Sequence, residues 1–260
     1  MRSLLALSLL MTATSSMAAE PPVELVRLEW SGTVKPGMVI HVDNPWGELL
    51  IKQRHGTVAL LHAVMQKIGE HPKHGELKAI ATEARVDLKL VYPDGQAPSD
   101  VRDGRIDAVL LVPSGIALEA SVERGDLVTK AIDNPLTAHS ENTDLDVRAV
   151  GPLDLSSAGG RITVRLLENG LTGTGRIVTR KGDIDVYFPV AAIPRFRLVG
   201  GRGHTTDSLA LLSSRQFEGR VTWMGDDHGP LFDIQSDSGA IRLNSWPPPA
   251  AGNHSLDMGR

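Results

Sequence analysis

A glycine followed two and four residues later by aliphatic side chains recurs along most of this chain, and that spacing admits little besides β structure. Gly47-Glu48-Leu49-Leu50-Ile51 is one copy, and Gly56-Thr57-Val58-Ala59-Leu60 follows it. Further copies are Gly104-Arg105-Ile106-Asp107-Ala108, Gly151-Pro152-Leu153-Asp154-Leu155, Gly160-Arg161-Ile162-Thr163-Val164, Gly182-Asp183-Ile184-Asp185-Val186 and Gly239-Ala240-Ile241-Arg242-Leu243. Looser copies begin at Gly75, Gly125, Gly175 and Gly219. Glycine turns a corner at positive φ without a Cβ penalty. The residues two and four places on then share one face of an extended strand, and the polar ones between them face water. Val58 and Leu60 are accordingly expected inward.

Corners recur at Gly104, Gly115, Gly125, Asn134, Asn142, Gly151 and Gly160, eight to eleven residues apart. Short strands at that spacing suit a sandwich, a barrel or a β-solenoid. The unit is self-similar, its inward positions are Ile, Leu, Val and Ala, and aromatics make up only 4% of the chain, too few to plug a sandwich core. The corners carry Gly, Asn and Asp without regular Asn-Gly hairpin pairs. The expectation is therefore all-β, a β-helix-like β-solenoid of short repeated strands, with a β-sandwich as the alternative. A second repeat, Asp43-Asn44-Pro45 and Asp133-Asn134-Pro135, reads as a sharp exit from a strand. The segments Glu70–Gly75, Gln96–Asp103 and Gly200–Asp207 read as surface loops.

Address and excluded chemistry follow from composition. Arg2, the apolar run Leu4 to Met11 and the small residues of Ser16-Met17-Ala18 have the layout of a secretory signal peptide, cleaved after Ala18. The run is too short to span a bilayer, where roughly 20 apolar residues are needed. The expected organisation is a signal peptide at 1–18, a β-strand repeat domain at 19–190, an irregular loop with closing strands at 191–246, and a disordered tail at 247–260. With no cysteine there is no disulfide scaffold, thiol nucleophile, Cys-ligated zinc or lipid anchor at cysteine. A net charge of −4 argues against nucleic acid as a partner. The implied destination is the periplasm or the exterior.

The run Val42-Asp43-Asn44-Pro45-Trp46-Gly47-Glu48-Leu49-Leu50-Ile51-Lys52, followed by serial Gly-x-Ile/Leu-x-Val strands, resembles the bacterial putative-adhesin family of domain-of-unknown-function β-strand repeat proteins. The resemblance covers roughly residues 39–188, with a weaker echo over 229–245. It implies a β-helix-like exported protein without known catalytic residues, so no functional residue is carried over.

Candidate chemistry is sparse. His71-Pro72-Lys73-His74 has chelating spacing but reads as a solvated loop, and His204-Thr205-Thr206-Asp207 is weaker still. Asp226-Asp227-His228, between Gly225 and Gly229, would converge on a cation only if the backbone turns there. The outward positions offer Asp107, Asp144, Asp146, Asp154, Asp183 and Asp185, interleaved with Arg105, Arg148, Arg161 and Arg165. In stacked rungs these form either a solvating ladder or, if Asp144, Asp146, Asp183 and Arg165 meet in a cleft, the groove of a carbohydrate-active enzyme. Of the four tryptophans that could serve as sugar platforms, Trp46 and Trp223 read as cap and core residues, Trp30 as a cap on the first rung, and Trp246 as the start of the tail. No catalytic, cofactor-binding or metal residue is assigned. The reading is an exported non-enzymatic interaction module that meets an unknown envelope or cell-surface component. The alternatives are a β-helix carbohydrate-active enzyme or a periplasmic accessory protein in envelope-stress signalling.

Overall fold

The computed structural model describes residues 22–70, 72–93, 102–167, 172–189, 192–200, 205–207, 215–217, 221–225 and 228–246. These residues form strands and no helix. The first strands are β1 (Val23–Thr33), β2 (Val39–Trp46), β3 (Leu49–Gln53), β4 (Val58–Ile68), β5 (Glu76–Ala81), β6 (Arg85–Val91) and β7 (Ile106–Val112). The middle holds β8 (Ala117–Arg124), β9 (Leu127–Lys130), β10 (Leu136–Ser140), β11 (Leu145–Ala149), β12 (Leu153–Ser157), β13 (Ile162–Leu166), β14 (Gly175–Thr179) and β15 (Ile184–Pro189). The last are β16 (Arg195–Gly200), β17 (Thr205–Asp207), β18 (Arg215–Phe217), β19 (Val221–Gly225), β20 (Leu231–Ser236) and β21 (Ile241–Trp246).

The strands divide between two open sheets. The first runs β1-β4-β7-β3-β9-β11-β13-β15-β21-β17, and the second runs β18-β19-β16-β20-β14-β12-β10-β8-β2-β6-β5. From β8 to β15 the chain alternates between the sheets, and each strand pairs in parallel with the one two places on. β20 and β21 extend the two stacks beyond β14 and β15, and β2 and β3 precede them beside β8 and β9. Antiparallel pairing enters through β1-β4-β7, β5-β6 and β16-β19-β18. The all-β expectation holds. The uninterrupted β-solenoid gives way to two large mixed sheets packed in a sandwich-like arrangement, because antiparallel strands stand at one end of the first sheet and at both ends of the second.

Inward side chains align from strand to strand. Leu49, Leu127, Leu145, Ile162, Ile184 and Ile241 are consecutive in register on the first sheet. Val42, Ala120, Ala138, Leu155, Ile177, Ile234 and Leu198 do the same on the second. All are buried in one continuous core, where each fully buried Val, Leu or Ile contributes about 1.5–3 kcal/mol. Near β16 the core turns aromatic: the Phe188 and Phe196 rings lie 5.3 Å apart, and Phe196 and Phe232 lie 6.2 Å apart. Phe232 occupies the place a side chain on Gly175 would take.

The Gly56 copy of the repeat is out of phase. Ala59, Leu61, Ala63 and Met65 are buried while Val58 and Leu60 are only half-buried. β4 is reached through a reversal from β3 rather than through a coil corner, so Gly56 does not set its phase.

The corners carry a polar element as well as glycine. Asn44, Val122, Ser140, Ser157, Thr179 and Ser236 are consecutive in register at the ends of second-sheet strands. The Gly160 N–H donates to Ser157 Oγ at 2.8 Å, Gly182 N–H to Thr179 Oγ1 at 3.0 Å, and Gly239 N–H to Ser236 Oγ at 2.8 Å. Asn44 Nδ2 donates to the carbonyls of Gly47 and Ile106, each at 3.1 Å. Asn134, also buried, clamps the Pro113 and Ile116 carbonyls at 2.8 Å each, so both Asp-Asn-Pro tripeptides place a buried amide at a corner.

Space, rather than φ, requires glycine at most of these corners. A Cβ on Gly160, Gly182 or Gly239 would overlap the carbonyl of Thr143, Gly160 or Gly182 respectively, and none of the three is left-handed. Gly47 combines the same crowding, against Ile106, with a φ of 127°. Gly182→Ala forces two stacked backbones apart and is expected to cost about 2 kcal/mol or more, as overpacking of a close contact does. Urea unfolding that keeps its slope but shows a clearly lower midpoint is the expected result.

Candidate functional site

Because successive strands alternate between sheets, the single outward Asp/Arg row expected from the sequence is two rows on opposite faces. Asp107, Asp146, Asp185, Arg148 and Arg165 lie along the first sheet, with Arg105, Asp144, Arg161 and Asp183 at its strand entries. Asp154 belongs to the second sheet.

On the first sheet each carboxylate is engaged by a neighbouring coil. Asp144 Oδ1 accepts the Arg161 N–H at 2.8 Å, Asp183 Oδ1 accepts the Ala240 N–H at 2.9 Å, and Asp107 Oδ1 accepts the Glu48 N–H at 2.8 Å. Arg242 bridges Asp183 at 2.9 Å and Asp185 at 3.3 Å, and Arg165 pairs with Asp146. The Ala240 N–H, aided by Arg242, holds the Asp183 carboxyl below the usual carboxylate range. Asp144, Asp146, Asp183 and Arg165 therefore spread along successive coils in local pairs and do not meet in a cleft.

The second sheet presents a longer row. Asp87, His41, Glu119, Thr137, Asp154, Arg176, Asp233 and Arg197 are consecutive in register across adjacent strands. Arg85 joins its near end, 2.8 Å from both Asp87 and Glu119, and His41 Nδ1 lies 3.1 Å from Asp87. Arg85 chiefly, with His41, holds the Asp87 carboxyl below its usual range, while Glu119 and Asp87 push the Arg85 guanidinium up. Farther along, Arg176 meets Asp154 at 3.3 Å and Arg197 meets Asp233 at 2.7 Å.

An open cleft of about 430 Å³ interrupts this row. Its polar side is Thr137, Asp154, Arg176 and Asp233, and its apolar shoulder is Pro135, Pro152 and Leu231, with Thr174 between. The two sides are the outward residues flanking Leu136, Leu153, Gly175 and Phe232, whose own positions point to the core. No aromatic ring lines the cleft. Arg176 stands between Asp154 and Asp233, so the surface offers donors and acceptors in alternation beside apolar ring carbons. That arrangement suits an extended partner lying across the strands, with hydrogen bonds on one side and apolar contact on the other. Of these residues the sequence pointed to Asp154 alone. Thr137, Arg176 and Asp233 occupy the same polar slot between inward aliphatics, a signal present in each copy but uninterpretable before the strand order was known.

The remaining candidates fall elsewhere. Asp226 and Asp227 lie outside the described residues, with His228 in the turn before β20; His71 and His204 also lie outside them. Among the described residues no three His, Asp or Glu side chains are grouped to hold a metal ion. Trp30 is half-buried and packs on the core, and the Arg124 guanidinium sits 5.6 Å above the Trp46 ring. Trp223 and Trp246 lie in β19 and β21. No helix among the described residues is long and apolar enough to cross a membrane.

No family model matches the chain, and no curated protein matches it. Among solved structures it is similar to a putative cell adhesion protein from Clostridium sporogenes, at 13% identity and a TM-score of 0.49, over 87% of this chain and 100% of that one. A putative adhesin from Bacteroides fragilis is 12% identical with a TM-score of 0.30, over 86% of this chain and 97% of that one. A putative adhesin from Parabacteroides distasonis is 9% identical with a TM-score of 0.27, over 84% and 97%. The last two carry the description putative adhesin, as does the family that the strand repeats resemble. At such scores they say nothing of what this chain does.

Asp87 and Asp183 titrate below their unfolded range, so each contributes stability that is present above about pH 4 and is lost as pH falls through its folded value. Thermal unfolding followed from pH 6 downward is expected to show the melting temperature falling below about pH 4. Asp183→Asn is expected to melt lower at neutral pH and to lose less on acidification, because the charge that titrates is gone.

Proposed function

We propose that this chain is an exported, non-enzymatic β-repeat protein that acts as an adhesin-like interaction module of the bacterial cell envelope. The observation that carries the reading is the outer face of the second sheet, where a charged row spanning eight adjacent strands opens into a cleft with one apolar shoulder. Such a face binds by extended contact. The carbohydrate-active alternative draws no support from the first sheet, whose carboxylates are spread along the coils and held by backbone N–H groups and arginines.

The alternating middle of the chain, β8 to β15 with β20 and β21, is on this reading a short two-sided β-solenoid held between hairpin ends. Its support is the parallel pairing of each strand with the one two places on. The leader of residues 1–18, a repeat domain at 19–190, a closing segment at 191–246 and a tail at 247–260 complete the proposed organisation. The partner is an envelope or cell-surface component that presents hydrogen-bonding groups beside apolar carbon.

Two measurements test this. Expressed in a Gram-negative host, the full sequence is expected to yield a periplasmic or secreted protein whose intact mass lacks residues Met1 to Ala18; an unprocessed cytoplasmic product would remove the export reading. In co-sedimentation with isolated peptidoglycan sacculi and, separately, outer-membrane vesicles, the protein is expected to pellet with one of them. The double variant Arg176→Glu/Asp233→Lys is expected to weaken that binding about tenfold or more. Binding unchanged by the double variant would exclude the cleft as the contact surface.

A further inference from the structure

The free edge of β1 carries a self-complementary pattern. β1 pairs with β4 along all eleven of its residues and, among the described residues, has no strand on its other side. Val34 N–H donates to the Thr57 carbonyl at 2.8 Å and Gly69 N–H to the Pro22 carbonyl at 3.0 Å, one at each end of the ladder. Both contacts join register partners in which the β1-side residue is even-numbered. Since hydrogen-bonded pairs alternate along an antiparallel ladder, the even residues of β1 bond to β4. The odd ones, Val23 to Thr33, turn their N–H and C=O groups outward.

Such an edge is a template for another strand unless something blocks it. β1 contains no proline, no lysine and no bulge, and Val23 and Leu25 are 57% and 66% exposed. Its charges are Glu24, Arg27 and Glu29. Arg27 makes no ion pair among the described residues, and Glu29 reaches only His62, at 3.5 Å.

We propose that a second copy of this chain pairs with β1, antiparallel, through β1 itself, about a two-fold axis at Leu28. Only odd residues can bond across the new seam, so the possible registers differ by steps of two. The register centred on Arg27 sets Arg27 against Arg27, and the one centred on Glu29 sets Glu29 against Glu29; like charges directly opposite destabilise a pair. Centred on Leu28, Arg27 of each copy faces Glu29 of the other, twice over. Leu25 then faces Ser31 and Val23 faces Thr33, which covers the exposed apolar pair. On the inner face Leu28 meets Leu28 and Val26 meets Trp30, joining the edges of the two cores. This seam lies on the edge of the first sheet and is independent of the proposed cleft on the second.

The chain lacks cysteine, so a single introduced thiol reports the register directly. In a non-hydrogen-bonded antiparallel pair facing Cα atoms are about 4.5 Å apart, within disulfide reach. Leu28→Cys in the full chain is expected to form a covalent dimer under mild oxidation, and Ser31→Cys, six residues from its own copy along the seam, is not. Sedimentation of the unmodified chain over a concentration series is expected to approach twice the monomer mass. Arg27→Glu is expected to weaken that association about tenfold, and Arg27→Glu/Glu29→Arg to restore it. Both positions are exposed on an edge strand, so these variants keep the fold. A chain that stays monomeric at every concentration overturns the proposal, as does cross-linking through Ser31→Cys in place of Leu28→Cys.

Discussion

The close stacking of one backbone on the next, at the corner where second-sheet strands hand over to the first sheet, is the contact on which the rest depends. There a glycine without Cβ lies against the carbonyl of the previous coil, and a Ser or Thr three residues earlier accepts its N–H from inside. A parallel stack has no tight hairpins to set its register. Slipping by one residue would turn Leu145 and Val147 to water and bring Asp146 into the core. Such a slip would also break the corner. It would bring a Cβ against a carbonyl and leave a buried N–H unpaired, at a cost of about 1–3 kcal/mol for the lost partner alone.

Once the inward residues are locked in register, the outward ones are locked too. That is why single polar positions of successive copies line up as Asp154, Arg176, Asp233 and Arg197 and form ion pairs across strands. Each exposed pair is worth only about 0–1 kcal/mol, so the row follows from the register and does not create it. The cleft inherits its shape in the same way. Pro135, Pro152 and Leu231 stand in one file because Leu136, Leu153 and Phe232 stand in the file beside them, and Gly175 gives up its side chain so that Phe232 can fill the core below.

Much of the fold was legible from local pattern. The alternation in Asp144 to Ala149 and in Arg161 to Leu166 reports strands because period two is a property of the backbone, and the recurring glycines report corners because each corner repeats the same close approach to a neighbouring carbonyl. Three things were not legible. The phase of β4 was misread because Gly56 precedes a reversal, where glycine does not fix which face points inward. The split of the Asp/Arg row between two sheets depends on which strands pair, and pairing is decided over tens of residues. The cleft needed β20 beside β14, a contact between register partners 57 residues apart, which only the closing of the stack can bring about. The Ser and Thr three residues before Gly160, Gly182 and Gly239 were in plain view, but each accepts the glycine N–H only once the chain has turned the corner between sheets.

The antiparallel strands have a consequence for how such a molecule ends. Parallel coils of identical pitch expose at each end the same groups they bury in the middle, so a stack of them has no intrinsic terminus. Reversing direction breaks that repetition, as β16 and β19 do beside the Phe188, Phe196 and Phe232 rings. At the opposite end the reversal through β4 leaves β1 outermost on the first sheet and β5 outermost on the second. The two edges differ in chemistry. β1 is eleven residues long with alternating sign at Arg27 and Glu29, whereas β5 has six residues and carries Ile80 and Lys78 on its outward face. An end built this way can join a like end without consuming the broad face that holds the cleft, so pairing at the edge and binding on the sheet act through separate sets of residues.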